Sequence, residues 1–434
     1  MKHALPLLSA FLSAFLLAAC QTPTATVLPG QRELVIRFQP GLGDADKARL
    51  REASGVEDFV AVMPDAERWR LRSADDGLLG RLSETAGVKY AQRNNIRSLG
   101  PIRSALAAPR FTLLDAAAPN DPGYAKQWHL PLAHFPEAWT LSTGRGVVVA
   151  TVDSGVDPGH PDLRGNLLPM LDEVVAMGGH DTYLGQDFDG RDSHGHGTHV
   201  AGIIGASANN RVGITGAAPD VKILPVKVTD HRGEADDAII ARGVVDAVDR
   251  GARVVNLSIG GAAPSPILLD VINYAFNHGA TMVIAAGNES APVDYPAAYR
   301  GVIAVGGVTA GSEVGSYSNH GDGLVLVAPG GGRPGSDEGP GVFSTIPTYA
   351  CTVTELEHLD QGYDYMTGTS MAAPQVTAAV ALLLAREPLL SPAQIWTRLA
   401  SAAHPLGLLS FDERSGYGLL DANKALRATS DDGR

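Results

Sequence analysis

Val147-Val148-Val149-Ala150-Thr151-Val152-Asp153-Ser154-Gly155-Val156-Asp157 decides the fold. A strand with one wet face alternates apolar and polar residues. This run does not alternate, so it reads as a strand covered on both faces, the habit of a parallel sheet. It ends at an acid. In open parallel sheets ligands gather beyond the carboxyl ends of the strands. Asp153 is therefore a candidate functional residue, although an Asp at a strand end is also a common turn or cap residue.

Similar runs follow at Val221–Val228, Arg253–Leu257, Thr281–Ala286, Val302–Val305 and Leu324–Val327. Helical patterns lie between several of them, at Asp237–Asp249 and Ile267–His278, and apolar helical stretches close the chain at Met371–Arg386 and Pro392–Ala402. Strand–helix alternation predicts an α/β class: a doubly wound, mostly parallel sheet flanked by helices, over residues 121–428. No fixed-period repeat interrupts it.

Upstream, residues 31–99 read as a small α+β unit. Glu33–Phe38 and Gly87–Ala91 have strand character, Trp69-Arg70-Leu71 alternates, and Lys47–Ala53 and Leu78–Thr85 carry helical spacing. Residues 21–30 are a polar spacer, and residues 100–120, rich in Ala and Pro, read as a linker. Residues 1–20 read as an export signal. Lys2 and His3 precede an apolar run, Ala4–Ala19, that is too short for a confident membrane span. Its end, Leu17-Ala18-Ala19-Cys20, resembles the bacterial lipobox, in which the Cys is acylated; an ordinary secretory signal containing a Cys is the alternative. The expected location is secreted or attached to the cell envelope, with a lipid anchor at Cys20 in the second case.

The formal net charge of -13 argues against nucleic acid or anionic lipid as the main partner. Two cysteines cannot make a disulfide framework. Cys351 reads as a small loop or core residue, with no neighbouring His or Cys to suggest a nucleophile.

Three motifs carry chemistry: Asp153-Ser154-Gly155-Val156-Asp157, His194-Gly195-His196-Gly197-Thr198-His199-Val200-Ala201-Gly202, and Gly368-Thr369-Ser370-Met371-Ala372-Ala373-Pro374 at the head of an apolar helix. Each has a plainer reading as turn, His-rich loop or helix N-cap. Together, in the order Asp…His…Ser, they fit nucleophilic catalysis. A serine hydroxyl needs a base to remove its proton. Imidazole titrates near neutral pH and suits that task. A carboxylate can hold the imidazole in one tautomer and stabilise its cation. A serine at a helix N-terminus has free N–H groups nearby for a developing oxyanion. The His-x-His-x-x-His spacing is not a standard zinc-helix pattern.

These motifs resemble those of the subtilisin-like serine peptidases, and the resemblance runs from about Asp121 to Ala428. It implies a serine endopeptidase that cleaves protein or peptide substrates through an acyl-enzyme on Ser370, with His196 as base and Asp153 as its partner. His196 is selected because it directly precedes Gly-Thr-His-Val-Ala-Gly; His199 would be a hydrogen-bonded core residue and His194 an exposed loop residue. The resemblance makes Asn288, in Ala285-Ala286-Gly287-Asn288-Glu289, the side-chain donor to the oxyanion. It makes Ser258, Ile259, Gly260 and Gly261 the strand that pairs with substrate backbone, with His231–Ala235 flanking the other side. Glu289 falls at the first specificity pocket, where it could favour a basic side chain or face solvent, leaving an apolar-to-broad preference. A structural calcium is implied at Gln127, Asp162 and Asn210, with carbonyls of Ala208, Val212 and Ile214. Oxygen donors of this kind suit calcium. Asp187, Asp189 and Asp192 form a second acidic group, read as a solvated loop.

Residues 31–99 resemble the family's inhibitory propeptide, a ferredoxin-like βαββαβ unit, particularly at Gly87–Asn94. The linker is expected to contain the processing cut and to lie in the substrate groove. A catalytically silent envelope protein that binds peptides on the same fold is the competing reading; the complete Asp, His, Ser and Asn set argues against it. An acid peptidase lacking a His base is disfavoured by His196.

Overall fold

The structure is a computed structural model that describes residues 32–75, 77–100, 118–408 and 410–428. Residues 1–20, expected to be an export signal ending at Cys20, residues 21–30, expected to be a spacer, and most of the expected linker, 100–120, fall outside them. Among the described residues no helix is long and apolar enough to cross a membrane.

Seven parallel strands form the central sheet. Their order is Leu326–Pro329, Ile303–Val308, Thr281–Ala285, Val254–Leu257, Val148–Asp153, Lys222–Lys227 and Leu171–Asp172. The unbroken apolar runs are explained by two cores, one on each face. Val149 faces one with Val254, Val283 and Ile303, while Ala150 and Val152 face the other with Val255, Leu257 and Ile284. Thr369–Arg386 is buried for almost all its length and packs on the first face. Asp237–Asp249 and Pro266–Asn277 cover the second. A short antiparallel pair of strands, Val342–Ile346 with Gly362–Met366, joined through the helix Thr352–Leu356, was not legible as such in the sequence.

The N-terminal unit has the βαββαβ order: Glu33–Phe38, Asp44–Ala53, Val56–Met63, Ala66–Leu71, Leu78–Ser83 and Val88–Arg93. Its four antiparallel strands alternate their side chains between two destinations. Leu34, Ile36 and Phe38 join Trp69 and Leu82 in a core of the unit's own. Val35, Val62 and Ala66 point the other way, into the second core of the large domain. Both faces of the small sheet are thus covered. Polar contacts fasten the same interface, with Asp270 accepting from Tyr90 Oη at 2.9 Å and forming an ion pair with Arg37, whose Nε lies 3.4 Å away.

Candidate active site

Asp153 ends the central strand, and its carboxylate is completely buried. Its Oδ1 accepts from the Ser154 amide at 2.8 Å and lies 2.8 Å from His196 Nδ1. His196 is the first residue of the helix His196–Gly205. That helix can reach the strand end only because residue 197 is glycine: a Cβ there would stand 2.1 Å from the Gly155 carbonyl oxygen. With Nδ1 engaged by the acid, His196 Nε2 is buried and has no hydrogen-bond partner among the described residues.

The turn before His196 is fixed by Asp192. Its Oδ1 accepts from Ser154 Oγ (2.8 Å), His194 N (3.1 Å) and Gly195 N (2.7 Å), and its Oδ2 from Thr198 N (2.9 Å) and Thr198 Oγ1 (2.6 Å). Ser154 Oγ in turn accepts from the Gly197 amide at 2.9 Å. The carboxylate that holds the turn before His196 therefore also grips the residue beside Asp153. Asp192 is fully buried, which corrects its reading as part of a solvated loop; Asp187 is exposed, as expected, and Asp189 is half-buried, its amide donating to Asp187 Oδ1. His194 is also buried, not an exposed loop residue, and burial pushes its pKa down to about 3, so it is neutral. Burial does the same to His199. Lys227, fully buried, adds a further brace: its ammonium bonds Asp181 Oδ2 (2.7 Å), the Ser154 carbonyl (3.2 Å) and the Arg191 carbonyl (2.9 Å).

Ser370 is the second residue of the helix Thr369–Arg386, which packs against the helix that begins at His196. Asn288 follows the strand Thr281–Ala285, and its Oδ1 accepts from Thr369 N (2.8 Å) and Thr369 Oγ1 (3.1 Å). Anchoring the oxygen commits Nδ2 to the cleft. Cys351 is buried at the head of Thr352–Leu356, and its thiol is pushed up to about 12 by burial, as suits a packing residue.

The cleft beside Ser370 holds a strand of the chain itself. Ile96–Ser98 pairs antiparallel with Glu234–Asp236 on one side. On its other side Ser98 exchanges backbone bonds with Gly260, N to O at 3.4 Å and O to N at 3.3 Å. The Leu99 amide donates to the Gly233 carbonyl at 3.0 Å. Next comes Gly100, where a Cβ would stand 3.5 Å from Asn288 Nδ2. The groove strand thus begins within the 31–99 unit, upstream of the linker expected to supply it.

Of the expected substrate-binding residues, Gly260 and Gly261 offer their backbone, while Ile259 turns its side chain into the core. Ser258 Oγ accepts from Asn256 Nδ2 at 3.1 Å. Glu289 lines the cleft next to Gly100 and faces Asp294, whose carboxyl is raised to about 6 by burial and then by the Glu289 charge.

In the region expected to hold calcium, Asn210 Nδ2 donates to Asp162 Oδ1 at 2.7 Å and the Ile214 amide to Asp162 Oδ2 at 2.8 Å. Gln127 is not drawn in: both ends of its carboxamide bond the Thr215 backbone, at 2.7 and 3.0 Å. An acid that the sequence reading passed over stands here instead. Asp121 accepts from the amides of Asn209, Asn210 and Arg211, and its carboxyl is raised by burial, with the Asp162 charge adding to it. Its one sequence signal is the Asn120-Asp121-Pro122 turn. Among the described residues no three His, Cys, Asp or Glu side chains form a metal-binding group.

Residues 144–418 match the model of the subtilase family. The chain is similar to a thermophilic serine proteinase of Bacillus sp. (strain AK1), with 33% identity over 81% of this chain and 78% of that one. It is similar to thermitase of Thermoactinomyces vulgaris, with 37% identity over 61% of this chain and 85% of that one. Among solved structures, fervidolysin of Fervidobacterium pennivorans, described as a keratinolytic enzyme related to subtilisin, superposes with a TM-score of 0.76 at 27% identity; the match covers 92% of this chain and 61% of that one.

Proposed function

The chain belongs to the subtilase family and is a serine endopeptidase, and from that premise we propose that Ser370, His196, Asp153 and Asn288 carry its chemistry. One observation supports this reading above the others. The buried Asp153 carboxylate engages His196 Nδ1, and Nε2 is left without a protein partner among the described residues. With the proton fixed on Nδ1, the free Nε2 lone pair is the basic site. Ser370 Oγ gives its proton to Nε2 as it attacks the substrate carbonyl carbon. The negative charge that develops on the carbonyl oxygen meets Asn288 Nδ2 and the N–H groups at the start of the Ser370 helix. Collapse expels the amine, which takes the proton from His196, and water repeats the sequence to release the acyl group.

The N-terminal unit acts as an inhibitory propeptide, and its strand Ile96–Ser98 supports this by lying where substrate backbone would pair. Asp162, Asn210 and Asp121, with carbonyls of the 208–214 loop, are the oxygen donors that would hold a calcium ion, whose contribution would be to stiffen this loop. Export, and acylation of Cys20, rest on the sequence of residues 1–20; the mass of the N-terminal peptide from the native host tests both.

The deciding experiment is labelling of the matured protein with a fluorophosphonate. Labelling at Ser370, absent in Ser370→Ala together with casein hydrolysis, is the expected result. Unlabelled Ser370, or an active Ser370→Ala protein, would restore the silent peptide-binding reading or require another nucleophile.

A further inference from the structure

Asp237 lies at the edge of the groove, and its side chain is fully buried. Arg97 Nε donates to its Oδ1 at 2.7 Å and Arg97 Nη2 approaches Oδ2 at 3.4 Å, a two-point contact. Asn95 Nδ2 (3.0 Å) and Gln92 Nε2 (3.4 Å) also reach Oδ2. Among the described residues, every hydrogen bond on this carboxylate comes from the N-terminal unit. The helix Asp237–Asp249 does not need it as a cap, because Asp236 Oδ1 already accepts from Ile239 N. The far side of the guanidinium meets two more acceptors of the large domain, the carbonyls of Gly261 (3.2 Å) and Ala263 (2.7 Å). When the N-terminal unit departs, the large domain is left with a carboxylate and two carbonyls arranged around a guanidinium-shaped gap.

Where that gap falls along a substrate follows from the strand register. Gly100 abuts Asn288 and lines the same cleft as Ser370, so it occupies the position of the residue whose carbonyl would be attacked. Leu99 and Ser98 precede it, and Arg97 is fourth. We infer that Asp237, with the Gly261 and Ala263 carbonyls, is a specificity site that selects arginine as the fourth residue upstream of the cleaved bond. The inference rests on the groove beside Ser370 being the substrate groove, as proposed above. Arginine fits better than lysine because its planar fork can reach the carboxylate through two N–H groups while a third nitrogen meets the carbonyls. An apolar side chain here would leave all three acceptors without donors, and an acidic one would add repulsion.

The full chain, matured and titrated with a fluorophosphonate, tests this with four quenched peptides that differ only at the fourth upstream residue: Arg, Lys, Leu or Glu. The expected order of kcat/KM is Arg, Lys, Leu, Glu, with Arg at least about tenfold above Leu and the difference lying mainly in KM. Asp237→Asn should bring the Arg-to-Leu ratio to within about threefold, and Asp237→Glu, which keeps the charge, should restore part of it. A titrated enzyme whose Arg-to-Leu ratio is below about threefold, or an Asp237→Asn ratio equal to that of the parent, overturns the inference and leaves the protease reading intact. Absence of both labelling and cleavage would overturn the two together.

Discussion

Replacing Asp192 by alanine removes the acceptor of five hydrogen bonds immediately before His196. The hydroxyls of Ser154 and Thr198 can rotate to other partners. The backbone N–H groups of His194, Gly195 and Thr198 cannot. A buried donor left without a partner costs about 1–3 kcal/mol. Three of them sum to about 3–9 kcal/mol, and water entering the vacated space favours the lower half of that range. At about 2–4 °C per kcal/mol, the scale of a domain of about 150–250 residues, Tm should fall by about 6–24 °C. Asp192→Asn keeps one oxygen for the His194 and Gly195 amides but turns an NH2 group toward Thr198 N. It should lie between the parent and Asp192→Ala. Melting is best measured in a Ser370→Ala background, where self-digestion cannot intrude. In the active background kcat should drop by about 10²-fold, the scale on which a shift of about 1 Å in a catalytic group acts. A melting point within about 2 °C of the parent corresponds to a loss of no more than about 1 kcal/mol. An Asp192→Ala protein that stays within that margin and keeps most of its kcat would refute the clamp.

Asn288→Ala should lower kcat by about 10²–10³ with little change in KM, the loss typical of one oxyanion donor in this class of enzyme; a change confined to KM would make Asn288 a binding residue only. The Asp294 carboxyl, raised to about 6, is neutral below that pH and charged above it. Preference for a basic residue next to the cleaved bond should therefore rise between about pH 5 and about pH 7, and a flat ratio in kinetics at the two values would refute the role of the Glu289–Asp294 pair. The sign for stability is opposite: a carboxyl with a raised folded pKa stabilises most below its unfolded value near 3.8 and loses that contribution as pH rises through about 6. Chelation should lower Tm if a cation is held by the native state alone, and Asp162→Ala or Asp121→Ala should remove that sensitivity; unchanged melting after verified metal removal would exclude the calcium site.

The large sheet was legible because its strands are continuous apolar runs, and both faces prove to be covered as those runs require. The proposed Asp153, His196 and Ser370 were legible as candidates because each sits in a short motif whose glycines and small residues mark close approach, as Gly197 does against Gly155. Asp192 was not. Its bonds go mostly to backbone amides of a turn, which leave no trace in residue types. Asp237 was hidden for another reason: its partner Arg97 lies 140 residues away, in a different unit. Gln127 and Asp121 share one lead-in segment, and only the path of the chain decides which one bonds the 209–211 loop near Asp162. The groove strand was displaced by a few residues, because pairing with Gly260 depends on the docking of the whole unit and not on the local sequence around Ser98.

The strand that fills the groove is joined to the enzyme by its own backbone, and that connection sets the competition it presents. A tethered segment confronts its site at an effective concentration of the order of millimolar. While residues 100 and 118 remain connected, a free peptide at micromolar concentration is outnumbered about a thousandfold, whatever its intrinsic affinity relative to the strand, and dilution changes nothing. One cut between those residues converts the same contacts into an ordinary bimolecular complex. Occupancy then depends on the volume into which the two pieces are released. Dispersal in a large volume favours an open groove, and confinement, as on a shared surface, favours a closed one.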